Sequence, residues 1–167
     1  MFSFVAVLIA ITYIDIRHYI IPDQLSIYAT PFAIVGMMAL DNLGFSGAIS
    51  AQESIIGSVL GGGILGAVAL IWWVIRRVEG MGMGDVKLLL LIGAVLGPWP
   101  GIPFVLFLSS ILAIICMLPI YLVQGGGMSR ALPYGPFLAW ASILYILHGP
   151  ELMELWLPGY EAIFLQF

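Results

Sequence analysis

Residues 80–96 read GMGMGDVKLLLLIGAVL, an apolar run that begins with an aspartate and follows alternating glycines. The apolar character extends over the rest of the chain, in which 62 % of the residues are hydrophobic and 8 % are charged. About a quarter of the residues of an ordinary soluble domain are charged. The composition therefore excludes a water-soluble globular protein and predicts an all-α, polytopic membrane protein, in which almost every charge needs an explanation.

Six apolar runs approach the length of about 20 residues that a membrane-spanning helix requires. We predict six transmembrane helices, at residues 2–21, 25–40, 54–75, 86–96, 102–123 and 136–147. The second, fourth and sixth runs are short and are expected to extend into their flanks or to be bracketed by half-buried loops. Residues 1–150 then form one six-span domain, and residues 151–167, which mix acids with aromatic residues, are predicted to lie in the membrane interface.

The basic residues predict how the chain is oriented in the membrane. All of them fall on one side of the six predicted spans: Arg17, Arg76, Arg77, Lys87 and Arg130. The positive-inside rule makes this side cytoplasmic. The other side carries only acids: Asp41, Glu53, Glu151, Glu154 and Glu161. The sequence thus predicts a multi-pass protein of the cell (inner) membrane with both termini outside.

Charge and cysteine usage exclude several classes of partner and cofactor. The net charge of −4 argues against nucleic acid as a partner. The single cysteine, Cys116, excludes a disulfide framework and a multi-cysteine zinc site, and it is expected to be a small packing residue. No metal or other cofactor is expected.

Two acids lie where a membrane helix would normally have none. Asp15 is within the first apolar run and Asp85 opens the fourth. A charge in a spanning segment costs about 2.5–3.5 kcal/mol on insertion scales, and such residues usually face a cavity or a partner. Because the predicted topology puts both acids near the cytoplasmic side, we expect them to share one water-filled pocket.

Two carboxyl groups in one pocket can carry out acid-base chemistry. Groups about 3 Å apart share a proton, so that one can activate water while the other polarises a carbonyl. That is the chemistry of aspartyl proteolysis. In a purely structural interpretation, Asp15 pairs with Arg17 and Asp85 caps the fourth helix. The glycines at 80, 82 and 84 favour function, because they are expected to adopt special backbone angles and to admit a second chain closely.

Three stretches, in this order, resemble the type IV prepilin peptidases, which are membrane aspartyl proteases with a Gly-x-Gly-Asp signature. They are IDIRHYIIPD at 14–23, EGMGMGDVKLL at 79–89 and LPYGPFLA at 132–139. The resemblance implies that Asp15 and Asp85 are the catalytic pair. It also assigns motif or substrate-binding support to Gly82, Gly84, Pro133, Gly135 and Pro136. By their charge and their position near Asp85, Lys87 and Glu79 are candidates for tuning the acids.

The resemblance further implies a reaction and its substrates. Such a peptidase removes the basic leader from prepilin or pseudopilin precursors of type IV pili or protein secretion systems, at the cytoplasmic face. Larger members add two Cys-x-x-Cys pairs and a methyltransferase activity. Since this sequence has one cysteine, we expect a short form with peptidase activity alone.

Alternative functions stay open at this stage. An archaeal-type preflagellin peptidase is barely separable by sequence, whereas a presenilin-type protease would carry Pro-Ala-Leu in place of Pro133-Tyr134-Gly135-Pro136. From another class, a small proton-coupled transporter could use Asp15 and Asp85 as a relay. A catalytically silent assembly component would not need both acids. The oligomeric state is not predicted.

Two further patterns predict local structure. Asp23, after Pro22, is expected to cap the second helix, with binding of the leader as the minority interpretation. The glycines at 57, 61, 62, 63 and 66 are expected to allow close packing of the third helix against a neighbour.

Overall fold

The computed structural model describes residues 1–45, 47–77, 82–123 and 133–156. These residues form α-helices and no strands, which confirms the all-α class for the described part of the chain. The helices are α1 (Phe2–His18), α2 (Ala29–Asn42), α3 (Ala51–Arg76), α4 (Met83–Leu96), α5 (Ile102–Val123) and α6 (Gly135–Trp156). Each of them overlaps one of the six apolar runs.

The helix α4 is the centre of the bundle. It packs against α2, α3, α5 and α6, whereas α1 packs chiefly against α6. Its buried residues cover every side of the helix: Leu88, Leu89, Leu91, Ile92, Gly93, Ala94, Val95 and Leu96. A helix that is hydrophobic all round is typical of such a position. The apolar run that follows Asp85 thus fixes the interior of the molecule.

Glycines bring α3 and α4 into close, antiparallel contact. Gly57 of α3 lies directly against Gly93 of α4, and Gly61 lies against the carbonyl of Leu89. The Ser54 hydroxyl donates a hydrogen bond to the carbonyl oxygen of Ala94. The predicted packing role is therefore confirmed for Gly57 and Gly61, and also for Gly62, which contacts Leu90. Gly63 instead faces open space.

Two breaks divide apolar stretches that would otherwise form longer helices. Between α4 and α5, the π-helical turn Gly97–Gly101 contains Trp99 in an extended conformation, with φ −143° and ψ 139°. Gly97 has a φ of +78°, which a residue with a side chain rarely adopts. In α6 the break is at His148, with φ −135° and ψ 19°. This break coincides with the predicted end of the sixth span.

The surface of the bundle is strongly apolar, as expected of a protein in a lipid bilayer. Phe32 is 80 % exposed and Ile75 is 71 % exposed. Two stretches, Ala51–Arg76 and Met83–Pro119, are long and apolar enough to cross a membrane, although the second is interrupted at Trp99. Cys116 is exposed on α5, so its predicted packing role is wrong.

Candidate active site

A cavity of about 340 Å³ opens at one end of the bundle. Its walls come from the end of α1, the connection between α1 and α2, the start of α4 and the segment that precedes α6. The lining residues are Asp15, Tyr19, Ile20, Ile21, Asp23, Gly82, Met83, Gly84, Asp85, Lys87, Pro133 and Tyr134. All three stretches that resemble the prepilin peptidases therefore contribute to one cavity.

Asp15 and Asp85 both face this cavity. Asp15 lies in the last turn of α1 and is 5 % exposed, and Asp85 lies in the first turn of α4. Within the described ranges, the Asp15 Oδ2 atom is buried without a hydrogen-bond partner. A buried polar atom without a partner is rare in folded proteins.

The end of α1 directs the chain across the cavity. Tyr19 adopts the left-handed conformation, with φ 55°, and its N–H donates a hydrogen bond of 2.8 Å to the carbonyl oxygen of Asp15. A left-handed residue at this position ends a helix abruptly. The chain can therefore turn directly after the turn that carries Asp15, and Ile20 and Ile21 form part of the cavity wall.

Ile21 joins the three parts of the site. A Cβ atom added to Gly84 would stand 3.0 Å from the Cβ of Ile21, and one added to Gly135 would stand 3.1 Å from its Cδ1. The Ile21 side chain thus fills the space between two glycines, one before Asp85 and one at the start of α6. The stretch 14–23 that carries the resemblance includes Ile21, but the sequence did not predict that its side chain packs between these two glycines.

Of the motif glycines, Gly84 and Gly135 leave room for neighbouring side chains, and neither Gly82 nor Gly84 has a special backbone conformation. Gly82 has φ −63° and ψ 122°, angles that any residue can adopt, and Gly84 is inside α4. For both, the expected special conformation is wrong. Gly80 lies outside the described residues. Gly135 is close to the first acid, because a Cβ added to it would stand 2.6 Å from the Asp15 Oδ2.

Asp23 and Lys87 form an ion pair at the cavity, with Oδ1 and Nζ 2.6 Å apart. The prediction that Asp23 caps the second helix is wrong, since α2 begins at Ala29 with Tyr28 as its N-cap residue. The intervening residues form turns, in which the N–H of Tyr28 bonds the carbonyl oxygen of Asp23. The sequence could have indicated this ion pair, because Asp23 and Lys87 carry opposite charges and lie in two of the stretches that resemble the family.

The segment before α6 is anchored to α5. The hydroxyl groups of Tyr134 and Ser109 are 2.7 Å apart and share a hydrogen bond. Pro133 lines the cavity, whereas Pro136 is buried in the first turn of α6 and does not line it.

Glu79 lies outside the described residues. In the part of the chain that the structure describes, no three His, Cys, Asp or Glu residues cluster as metal ligands would.

The fold and the cavity define a helical membrane protein with two carboxyl groups at one end of its bundle. Comparison with known proteins makes this class specific. The sequence profile of the type IV leader peptidase family matches residues 2–118, and the chain belongs to this family. The match ends within α5, before the segment 133–134 that completes the cavity.

Individual relatives carry the name prepilin leader peptidase/N-methyltransferase. The protein of Aeromonas hydrophila is 34 % identical over 154 residues, which cover 92 % of this chain and 51 % of the relative. That of Dichelobacter nodosus is 36 % identical over 148 residues, covering 89 % and 48 %. The chain therefore spans about half the length of these relatives. No solved structure matches it.

Proposed function

We propose that this chain is a membrane aspartyl endopeptidase that removes the basic leader from prepilin or pseudopilin precursors. The observation that carries the proposal is the shared cavity, whose lining includes Asp15 and Asp85 from different helices. The two acids are 70 positions apart in the sequence, so that no local structural role brings them together. Family membership and the names of the relatives support the same reaction.

The chemistry requires one carboxylate and one carboxylic acid. The carboxylate accepts a proton from a water molecule as its oxygen attacks the scissile carbonyl carbon. The protonated carboxyl group donates a hydrogen bond to the carbonyl oxygen and stabilises the charge that develops there. Collapse of the tetrahedral intermediate breaks the C–N bond, and the leaving amine takes up the proton that the carboxylate accepted from water. The Asp15 carboxyl group lines the cavity, and its Oδ2 has no hydrogen-bond partner among the described residues.

The membrane arrangement is part of the proposal. The six helices cross the inner membrane, and the cavity opens near the cytoplasmic face. Arg17, Arg76 and Lys87 lie towards the end of the bundle that holds the cavity, whereas Asp41 and Glu53 lie towards the other end. This asymmetry supports a cytoplasmic active site. A basic leader on that side would meet a cavity that contains acids.

The alternatives make different demands on the same residues. A proton-coupled carrier is expected to hold its acids near the middle of the bilayer, whereas Asp15 and Asp85 lie in terminal turns of their helices. A preflagellin peptidase would use the same pair. The nature of the precursor therefore has to be tested directly.

The deciding experiment is co-expression of this chain with a prepilin, followed by gel analysis of leader removal. We expect Asp15→Asn and Asp85→Asn each to lower the cleavage rate by about 10²–10⁴-fold, the range typical of a lost general acid or base. Asp41→Asn is the matched control, because this exposed acid lies at the end of α2 away from the cavity. It should cleave at the parental rate.

The possible outcomes separate the candidate functions. Parental cleavage by either cavity variant would refute the catalytic pair. Cleavage of a preflagellin but not of prepilins would favour the archaeal-type enzyme. Proton-dependent uptake of a solute, with no cleavage of any precursor, would favour a carrier.

A further inference from the structure

The helices that carry the two acids have little direct contact with each other. Among the described elements, α1 packs chiefly against α6, while α4 is enclosed by α2, α3, α5 and α6. The separation of the Asp15 and Asp85 carboxyl groups is therefore not fixed by an α1–α4 helix interface. Besides α6, which packs against both helices, contacts made by other segments have to determine it.

The connection between α1 and α2 provides those contacts. It starts at Tyr19, one turn after Asp15, and its Ile21 side chain lies against Gly84, the residue before Asp85. Two residues later, Asp23 pairs with Lys87 at 2.6 Å. The connection thus contacts the start of α4 on both sides of Asp85 in the sequence, once by apolar packing and once by an ion pair.

The direction of the Lys87 side chain fits this arrangement. Long side chains in helices extend back towards the helix N-terminus, and the α1–α2 connection lies at that end of α4. The Lys87 side chain is 28 % exposed and that of Asp23 is 50 % exposed. A partly exposed ion pair of this kind contributes little to overall stability. The pair can still affect catalysis through the positions of the adjoining residues, because reaction rates are sensitive to displacements of about 1 Å.

We propose that the Asp23–Lys87 ion pair is a positioning pair, which holds the α1–α2 connection against α4 and thereby sets the separation of the Asp15 and Asp85 carboxyl groups. This inference rests on the proposed peptidase function. It assigns Lys87 and Asp23 no contact with the substrate. Their effect is on the chemical step, through the acids.

Steady-state cleavage of a prepilin by the purified full chain tests the proposal. We expect Asp23→Asn and Lys87→Met each to lower kcat by about tenfold to a hundredfold, with KM nearly unchanged. The double variant should be no worse than the more affected single variant, since both changes remove the same interaction. Exchange of the charges, Asp23→Lys with Lys87→Asp, should restore much of kcat.

The exchange also separates positioning from recognition of the leader. If Asp23 bound a basic leader residue, Asp23→Asn would raise KM, and a lysine at position 23 would repel the leader and give the poorest enzyme. Either result would overturn the proposal. The proposal would also be overturned if the losses of kcat in the two single variants multiplied in the double variant. If the single variants fail to fold, Lys87→Arg and the exchanged variant decide, because both must fold and cleave if the pair acts by position.

A distance measurement keeps this test independent of proteolysis. Spin labels replace Ile16 beside Asp15 and Met83 before Asp85, which are 56 % and 60 % exposed, in a chain carrying Cys116→Ser. We expect a narrow distance distribution in the parental chain, a shifted or broader one in Asp23→Asn, and recovery in the exchanged variant. An unchanged distribution in all variants would overturn the positioning pair. Absence of prepilin cleavage by the parental chain would refute the proposed function instead.

Discussion

At Gly135 the start of α6 lies against both the carboxyl group of Asp15 and the side chain of Ile21. Three segments therefore meet at a position that has no room for a methyl group. The acids of the site could be predicted from the sequence, because a charge in an apolar run is costly and therefore conspicuous. The roles of Ile21 and Gly135 in packing could not, since an apolar or small residue in an apolar chain carries no such signal.

Replacement of Gly135 by alanine should impair catalysis more than replacement of Gly82. The new Cβ at 135 would stand 2.6 Å from the Asp15 Oδ2, whereas the one at 82 would stand 3.5 Å from the Asp85 Oδ2, an ordinary contact. We expect Gly135→Ala to lose about 100-fold in cleavage rate through displacement of the acid, and Gly82→Ala to keep most of its activity. Prepilin cleavage at matched protein levels measures both. Equal losses would show that crowding of the Asp15 carboxyl group does not govern the rate.

At the scale of elements, the contact between α3 and α4 depends on which glycines face inwards. The four-residue spacing of Gly57 and Gly61 predicted a close helix contact, and the structure confirms it. The spacing did not identify the partner, because α4 is apolar on every side and shows no preferred face. Only the packed structure distinguishes Gly61, which lies against Leu89, from Gly63, which faces open space.

This difference predicts opposite outcomes for two chemically identical substitutions in α3. Gly57→Ala forces a methyl group into the backbone of Gly93 and should destabilise the protein by about 1–3 kcal/mol, as overpacking does. Gly63→Ala adds its methyl group to open space and should leave stability nearly unchanged. Unfolding in detergent, followed by circular dichroism, measures both variants. A stable Gly57→Ala protein would argue against the close α3–α4 contact.

At the scale of the whole molecule, charge and polarity define two ends of one bundle. The sequence could predict this asymmetry, because membrane orientation depends on where the basic residues lie. It could not predict that α1 packs chiefly against α6 or that α4 is central, since helices with apolar surfaces can be arranged in several ways. The number of spans and their direction remain predictions that labelling can test.

Single cysteines in a Cys116→Ser background should report opposite sides of the membrane. Phe45, which is 61 % exposed between α2 and α3, is predicted to lie outside. Arg77, an exposed residue directly after α3, is predicted to lie inside. A membrane-impermeant maleimide applied to intact spheroplasts should therefore label Phe45→Cys at once and Arg77→Cys only after permeabilisation. Labelling of both from the same side would reject the proposed topology.

The contribution of residues 133–134 to the cavity has a consequence for biosynthesis. Both acids emerge from the ribosome before this wall has been translated, and Tyr134 then still lacks its place beside Ser109. A nascent polypeptide that ends before α6 contains both acids but not the packed segment that forms one wall of their cavity. Under the proposed function, we therefore expect a chain that ends before α6 to lack cleavage activity.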